Sequence, residues 1–181
     1  MTQSDLTLSR QNLEMVTIAG EYCKLIENSG EAVFGQLLQT LRHFVPLLYL
    51  RGSLLQAPEP QYPEAAGRFV TEEEWDQIFL SLRKVCDNKD EFYFAGLSEF
   101  GDDSLITGSI SEHLTDVYQD LKDFTLLFKR PSLAARENAL YECAQLFNKH
   151  WGLRLATLLP VIHRLTEESD ARDQPDPSDF F

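Results

Sequence analysis

The chain has 181 residues, 43% of them hydrophobic and 25% charged, and 29 acids against 16 basic residues give a net charge of −13. That length suits one domain whose core needs neither disulfide nor metal. The charge disfavours direct binding to nucleic-acid phosphates or anionic lipid, where Lys and Arg supply the affinity by displacing counterions.

No stretch reaches the roughly 18 consecutive apolar residues of a membrane span. The opening MTQSDLTLSRQNLE lacks the basic start and apolar middle of a signal peptide, so a cytoplasmic protein is expected. Cys23, Cys86 and Cys143 lie far apart among apolar neighbours. They read as small buried hydrophobes, not as a disulfide framework or a zinc site.

In chain order, helical spacing dominates. Leu13 to Asn28 carries Leu13, Val16, Ala19, Cys23 and Ile26 at steps of three and four, and Asn28-Ser29-Gly30 stops it. A second helix starts near Glu31, with Phe34, Leu37, Leu38, Leu41, Phe44, Val45 and Leu48 on one face. Pro46 inside it removes a backbone donor and predicts a kink. Gln56 to Gly67, with Pro58, Pro60 and Pro63, reads as a surface connection. Thr71 and Glu74 form a capping box for a third helix, whose face is Trp75, Ile78, Phe79, Leu82, Val85 and Cys86.

Asp87 to Thr107 reads as an irregular connection pinned by Phe92 and Phe94, since no second strand is evident to pair with it. Ser109 and Glu112 make another capping box and open a fourth helix striped by Ile110, Leu114, Val117, Leu121, Phe124 and Phe128. Pro131 ends it and Ser132 caps the next. Leu133 to about Glu168 keeps helical phase throughout. Unbroken it would be about 50 Å long, so a break is expected at Gly152 and a bend at Pro160. From Glu167 to Phe181 there are six acids and one arginine, and such a segment is expected to be disordered. The organisation is therefore a single all-α bundle of five to six helices over residues 1–168, with proline-kinked helices, followed by an acidic tail over 169–181.

Glu112, Asp116, Asp120 and Asp123 fall at i, i+4, i+8 and i+11 on the fourth helix. Carboxylates so placed could share a divalent cation. They resemble the magnesium-binding rows of all-α nucleotide pyrophosphohydrolases, with Glu72, Glu73, Glu74 and Asp76 as a partner set. That pattern requires E-E-x-x-E on one helix and E-x-x-D on the next, and Trp75 and Asp76 do not complete it. The row lies about 125° from the apolar stripe at roughly 100° per residue, so a solvated face is the expected reading. His43, His113, His150 and His163 are isolated from one another, which points to local hydrogen bonding. There is no G-x-S-x-G, glycine-rich phosphate loop or C-x-x-C, and Cys86, beside Arg83 and Lys84, shares an apolar face. No cofactor is implied. The ending Asp179-Phe180-Phe181 resembles the acidic, aromatic tips with which bacterial single-stranded-DNA-binding proteins recruit partners; a solubilising tail is the simpler reading.

Four phrases together, EYCKLIEN (Glu21–Asn28), VPLLYL (Val45–Leu50), LTDVYQDLKDF (Leu114–Phe124) and FNKHWGLRLATLLPVIHRL (Phe147–Leu165), resemble a bacterial family of helical proteins catalogued as domain of unknown function 5063. The likeness runs from about Met15 to Leu165. It implies an all-α cytosolic bacterial protein, and no catalytic residue follows from it. Its most specific phrases make Asp116, Tyr118, Asp120, His150 and Trp151 the first positions to test for partner binding, beside Asp179, Phe180 and Phe181. The expected function is a non-enzymatic, acidic interaction module for a protein partner. The alternatives are a magnesium-dependent nucleotide hydrolase on Glu112, Asp116 and Asp120, and an acidic mimic of nucleic acid that occupies a basic partner. A homodimer is open.

Overall fold

A computed structural model describes residues 5–95 and 105–172. Six α-helices, four single-turn 3-10 helices and one two-stranded ribbon make up the regular structure among these residues. The first helix, α1 (Arg10–Glu27), starts three residues earlier than its apolar spacing suggests, because Ser9 Oγ caps the Asn12 amide. Helix α2 (Phe34–Ser53) continues through Pro46. The proline-rich connection is tied down along its length. Asn12 exchanges two hydrogen bonds with the Gln56 backbone, and Asn138 donates to the Tyr62 carbonyl at 2.8 Å. Helix α3 (Glu72–Cys86) opens on the complete Thr71–Glu74 capping box, with three glutamates in its first turn where the helix dipole favours them.

Asp87 to Thr107 differs from the irregular path expected. Glu91–Ala95 forms β1 and Leu105–Ser109 forms β2, paired antiparallel from Glu91↔Ser109 to Ala95↔Leu105. The partner strand is hard to see in sequence because it runs straight into a helix cap. Its Gly108 is required by close approach: a Cβ there would sit 2.7 Å from the Phe92 ring. Helix α4 (Ile110–Phe128) follows at once. Only half of the Ser109–Glu112 box forms, with Ser109 Oγ accepting the Glu112 amide. Buried Asp90 completes the start, taking the Ser111 amide at 2.8 Å and both the Ser109 and Ser111 hydroxyls.

Helix α5 (Leu133–Lys149) begins at the Ser132 cap and breaks at His150, and α6 (Trp151–Arg172) begins one residue later. The break thus precedes Gly152. That glycine instead lets the chain close on itself, since a Cβ there would lie 2.3 Å from the Phe147 carbonyl oxygen. Pro160 lies within α6, which runs four residues past the boundary expected at 168. The remaining tail, with Asp179, Phe180 and Phe181, lies outside the described residues.

Helix α4 is central: α1, α3, α5 and α6 all pack on it, while α2 packs on α1, α5 and α6. The core joins Met15, Tyr22, Leu48, Leu82, Leu114, Leu121, Leu140 and Ile162, with Trp151 fully enclosed. Trp151 seats against Gly52 of α2, where any Cβ would meet its ring at 2.3 Å.

Candidate functional site

One face of α4 collects the ionisable groups. Asp116, Asp120 and Asp123 follow one another at helical spacing. The solvated face expected for them is not what forms. Asp120 and Asp123 are 3% and 4% exposed, because the α5–α6 elbow and the segment before α3 close over α4 on that side. Glu112, at the start of the row, remains exposed and takes no part.

Each carboxylate has both oxygens occupied. Asp123 Oδ1 accepts the backbone amides of Phe69 and Val70 at 2.7 and 2.9 Å, and its Oδ2 meets Arg68 at 3.1 Å. Asp120 Oδ1 accepts from the same Arg68 nitrogen at 3.1 Å, and its Oδ2 lies 2.6 Å from His150 Nδ1. Asp116 Oδ1 accepts the Trp75 indole N–H at 3.2 Å, and its Oδ2 meets Arg154 at 2.8 Å. The other nitrogen of His150, Nε2, faces Asp116 Oδ2 at 3.7 Å. The cluster therefore ties the connection before α3, α3 itself, the α5–α6 elbow and α6 to one row of α4.

Both ring nitrogens of His150 face carboxylates, one at hydrogen-bond distance and one beyond it, an arrangement that favours the imidazolium. The hydrogen bond to Asp120 accordingly raises its pKa above the usual 6.5, against the opposing effect of burial. His113, one turn before Asp116, behaves oppositely. It is 2% exposed, flanked edge-on by Phe92 and Phe94, with Nε2 3.5 Å from Arg154. Its Nδ1 has no hydrogen-bond partner among the described residues. Burial, then the Arg154 charge, pushes its pKa down to about 4.

Chemically the cluster is closed. Arg68, Arg154 and His150 face the three carboxylates, and a cation would have to displace one of them to reach oxygen. Among the described residues no group of three or more His, Cys, Asp or Glu is placed to hold a metal ion. Glu72 and Glu73 lie exposed, and Glu74 serves its capping box, so the acids of α3 do not join the row; Trp75 does.

The other sequence candidates are mostly interior. Tyr118 is 5% exposed and its hydroxyl donates to Glu27 at 3.0 Å. Trp151 is buried outright, with its indole N–H on the Cys143 carbonyl. With Asp120 also enclosed, these three offer a partner no free surface in this conformation. All three cysteines are buried; burial pushes the Cys23 and Cys86 thiols up to about 12, far from nucleophilic use. Sequence reasoning missed Arg68 and Arg154. The only signal was a cation just before a helix cap and another one turn after His150.

The chain belongs to the family described as a domain of unknown function (DUF5063), whose model matches residues 7–168. It is similar to the crystal structure of protein BF1032 from Bacteroides fragilis, at 27% identity and a TM-score of 0.77, over 89% of this chain and 98% of that one. No curated protein matches the chain. No helix among the described residues is long and apolar enough to cross a membrane.

Proposed function

We propose that this bacterial all-helical protein is a non-enzymatic interaction module, and that the β1–β2 ribbon is the part it offers a protein partner. The observation that carries this reading is apolar exposure. Tyr93 and Leu105 stand 67% and 72% exposed on one face of the ribbon, the two most exposed large apolar side chains among the described residues. Residues of one face alternate along a strand, so Tyr93, Ala95, Leu105 and Thr107 share that outer side. Large exposed apolar side chains gathered on one element are what partner surfaces present. The ionisable cluster supports the reading from the other direction, because its groups are spent on each other.

The test compares cross-linked capture from a bacterial lysate by the full chain and by its Tyr93→Ser/Leu105→Ser variant. The expected result is a defined protein recovered by the first and lost with the second, at low and moderate salt alike. Equal capture by both, or none by either, contradicts the reading. Capture that vanishes steeply with salt points instead to an electrostatic mimic of nucleic acid.

A further inference from the structure

Among the described residues the ribbon has a free edge. The Ile110 amide donates to the Asp90 carbonyl at 2.8 Å, which makes Asp90/Ile110 a hydrogen-bonded pair of the antiparallel ladder. By alternation Phe92/Gly108 and Phe94/Ile106 are the next such pairs. Glu91, Tyr93 and Ala95 then direct their amides and carbonyls away from β2. Among the described residues nothing accepts from or donates to the backbones of Glu91 and Tyr93.

That edge borders a groove. A cavity of about 540 Å³ is lined by four consecutive residues, Glu91 to Phe94, and by α6 through Thr157, Pro160, Val161 and Arg164. Consecutive strand residues point to opposite faces, so a cavity touching all four runs along the strand's edge. Its far wall is an apolar stretch of helix ending in one cation. Arg164 is exposed and has no ion pair among the described residues. Arg10, Arg42, Arg51, Arg68, Arg136 and Arg154 are paired with acids, and Arg83 and Arg130 lie over the Phe79 and Phe69 rings, in a chain with acids in excess.

We infer that the β1 edge and the α6 wall form a slot for an extended peptide segment of a partner protein, which adds as a strand beside β1 and sets a carboxylate on Arg164. The three requirements of strand addition are present. Unmet backbone groups supply pairing, an apolar wall receives alternate side chains, and Arg164 at the end of that wall gives orientation. The slot is open on one side and walled by a helix on the other, which suits an isolated strand better than the edge of another sheet. The inference deepens the interaction reading above and rests on it.

The experiment uses the isotope-labelled full chain and a short synthetic peptide alternating Val and Phe with Asp, with an otherwise identical peptide carrying Asn for Asp as control. Saturable binding of the Asp peptide is expected, with slowed exchange of the Tyr93 amide. Binding should weaken about tenfold with the Asn peptide or with Arg164→Ala, the worth of one charge-assisted hydrogen bond. Tyr93→Pro removes an edge donor that β2 does not use, so the ribbon tolerates it. It should weaken binding about tenfold relative to Tyr93→Ala, which keeps the donor. No saturable binding overturns the inference, as does binding indifferent to both Arg164→Ala and Tyr93→Pro, or self-association of the chain through the same edge. If lysate capture depends on Tyr93 and Leu105 while these variants change nothing, the interaction reading stands and the slot does not.

Discussion

Helix α4 and the β1–β2 ribbon adjoin at Ser109 and use their residues in opposite ways. On α4 the row of aspartates is covered and spent internally, each holding a different part of the chain. On the ribbon it is the apolar side chains that are left over, at Tyr93 and Leu105. The usual equation of polar with outside and greasy with inside fails in both places. Where it fails inward, burial is tolerated because every carboxylate oxygen has a donor. Where it fails outward, nothing in the described fold compensates, and that is where a partner is sought.

The contrast can be broken most forcefully at the elbow that covers α4. Trp151→Ala empties the space between α2 and α6 and should cost about 3–5 kcal/mol in urea unfolding, as large-to-small core changes do. A loss under about 1 kcal/mol would mean that the elbow does not pack as described. Next comes Asp123→Ala, which strips the Phe69 and Val70 amides of their acceptor and Arg68 of one partner. About 2–3 kcal/mol should be lost, the Arg68 contribution being small because that side chain is half exposed.

Stability should also bend with pH in two directions. His150 holds its proton more tightly folded than unfolded, so its contribution is full below 6.5 and fades as pH rises through its raised pKa. His113 resists protonation when folded, so stability falls as pH drops from 6.5 through about 4. His150→Gln should flatten the alkaline limb and His113→Phe the acidic one. Unchanged limbs in thermal melts across that range would remove the histidines from the account. The smallest effect belongs to the ribbon. Leu105→Ser should move stability by no more than about 0.5 kcal/mol, since that side chain touches mostly solvent. A larger loss would make Leu105 part of the core after all.

Much of the fold was legible because its cause is local. Apolar steps of three and four gave the helices, and the Thr71 and Ser132 caps fixed two starts. The ribbon was not legible, because Glu91–Ala95 is short and its partner shares Ser109 with a helix cap. Asp116, Asp120 and His150 could be singled out as residues, yet their burial could not. An amphipathic pattern says which face of α4 is greasy, and cannot say that the opposite face will be roofed by Arg68 and the α5–α6 elbow. The break at His150 in place of Gly152 has the same origin: the glycine answers to Phe147, a contact that exists only once the elbow has formed.

The central claim is that the α4 carboxylates hold the bundle together and do not wait for a ligand. Groups kept for a ligand tend to strain the empty protein, so neutralising one of them stabilises it. The direct measurement is the urea unfolding free energy of the full chain and of Asp120→Asn, at mildly acidic pH where His150 is protonated. The account predicts a less stable variant, because His150 and Arg68 lose a charged partner. A variant as stable as the parent, or more so, would contradict it.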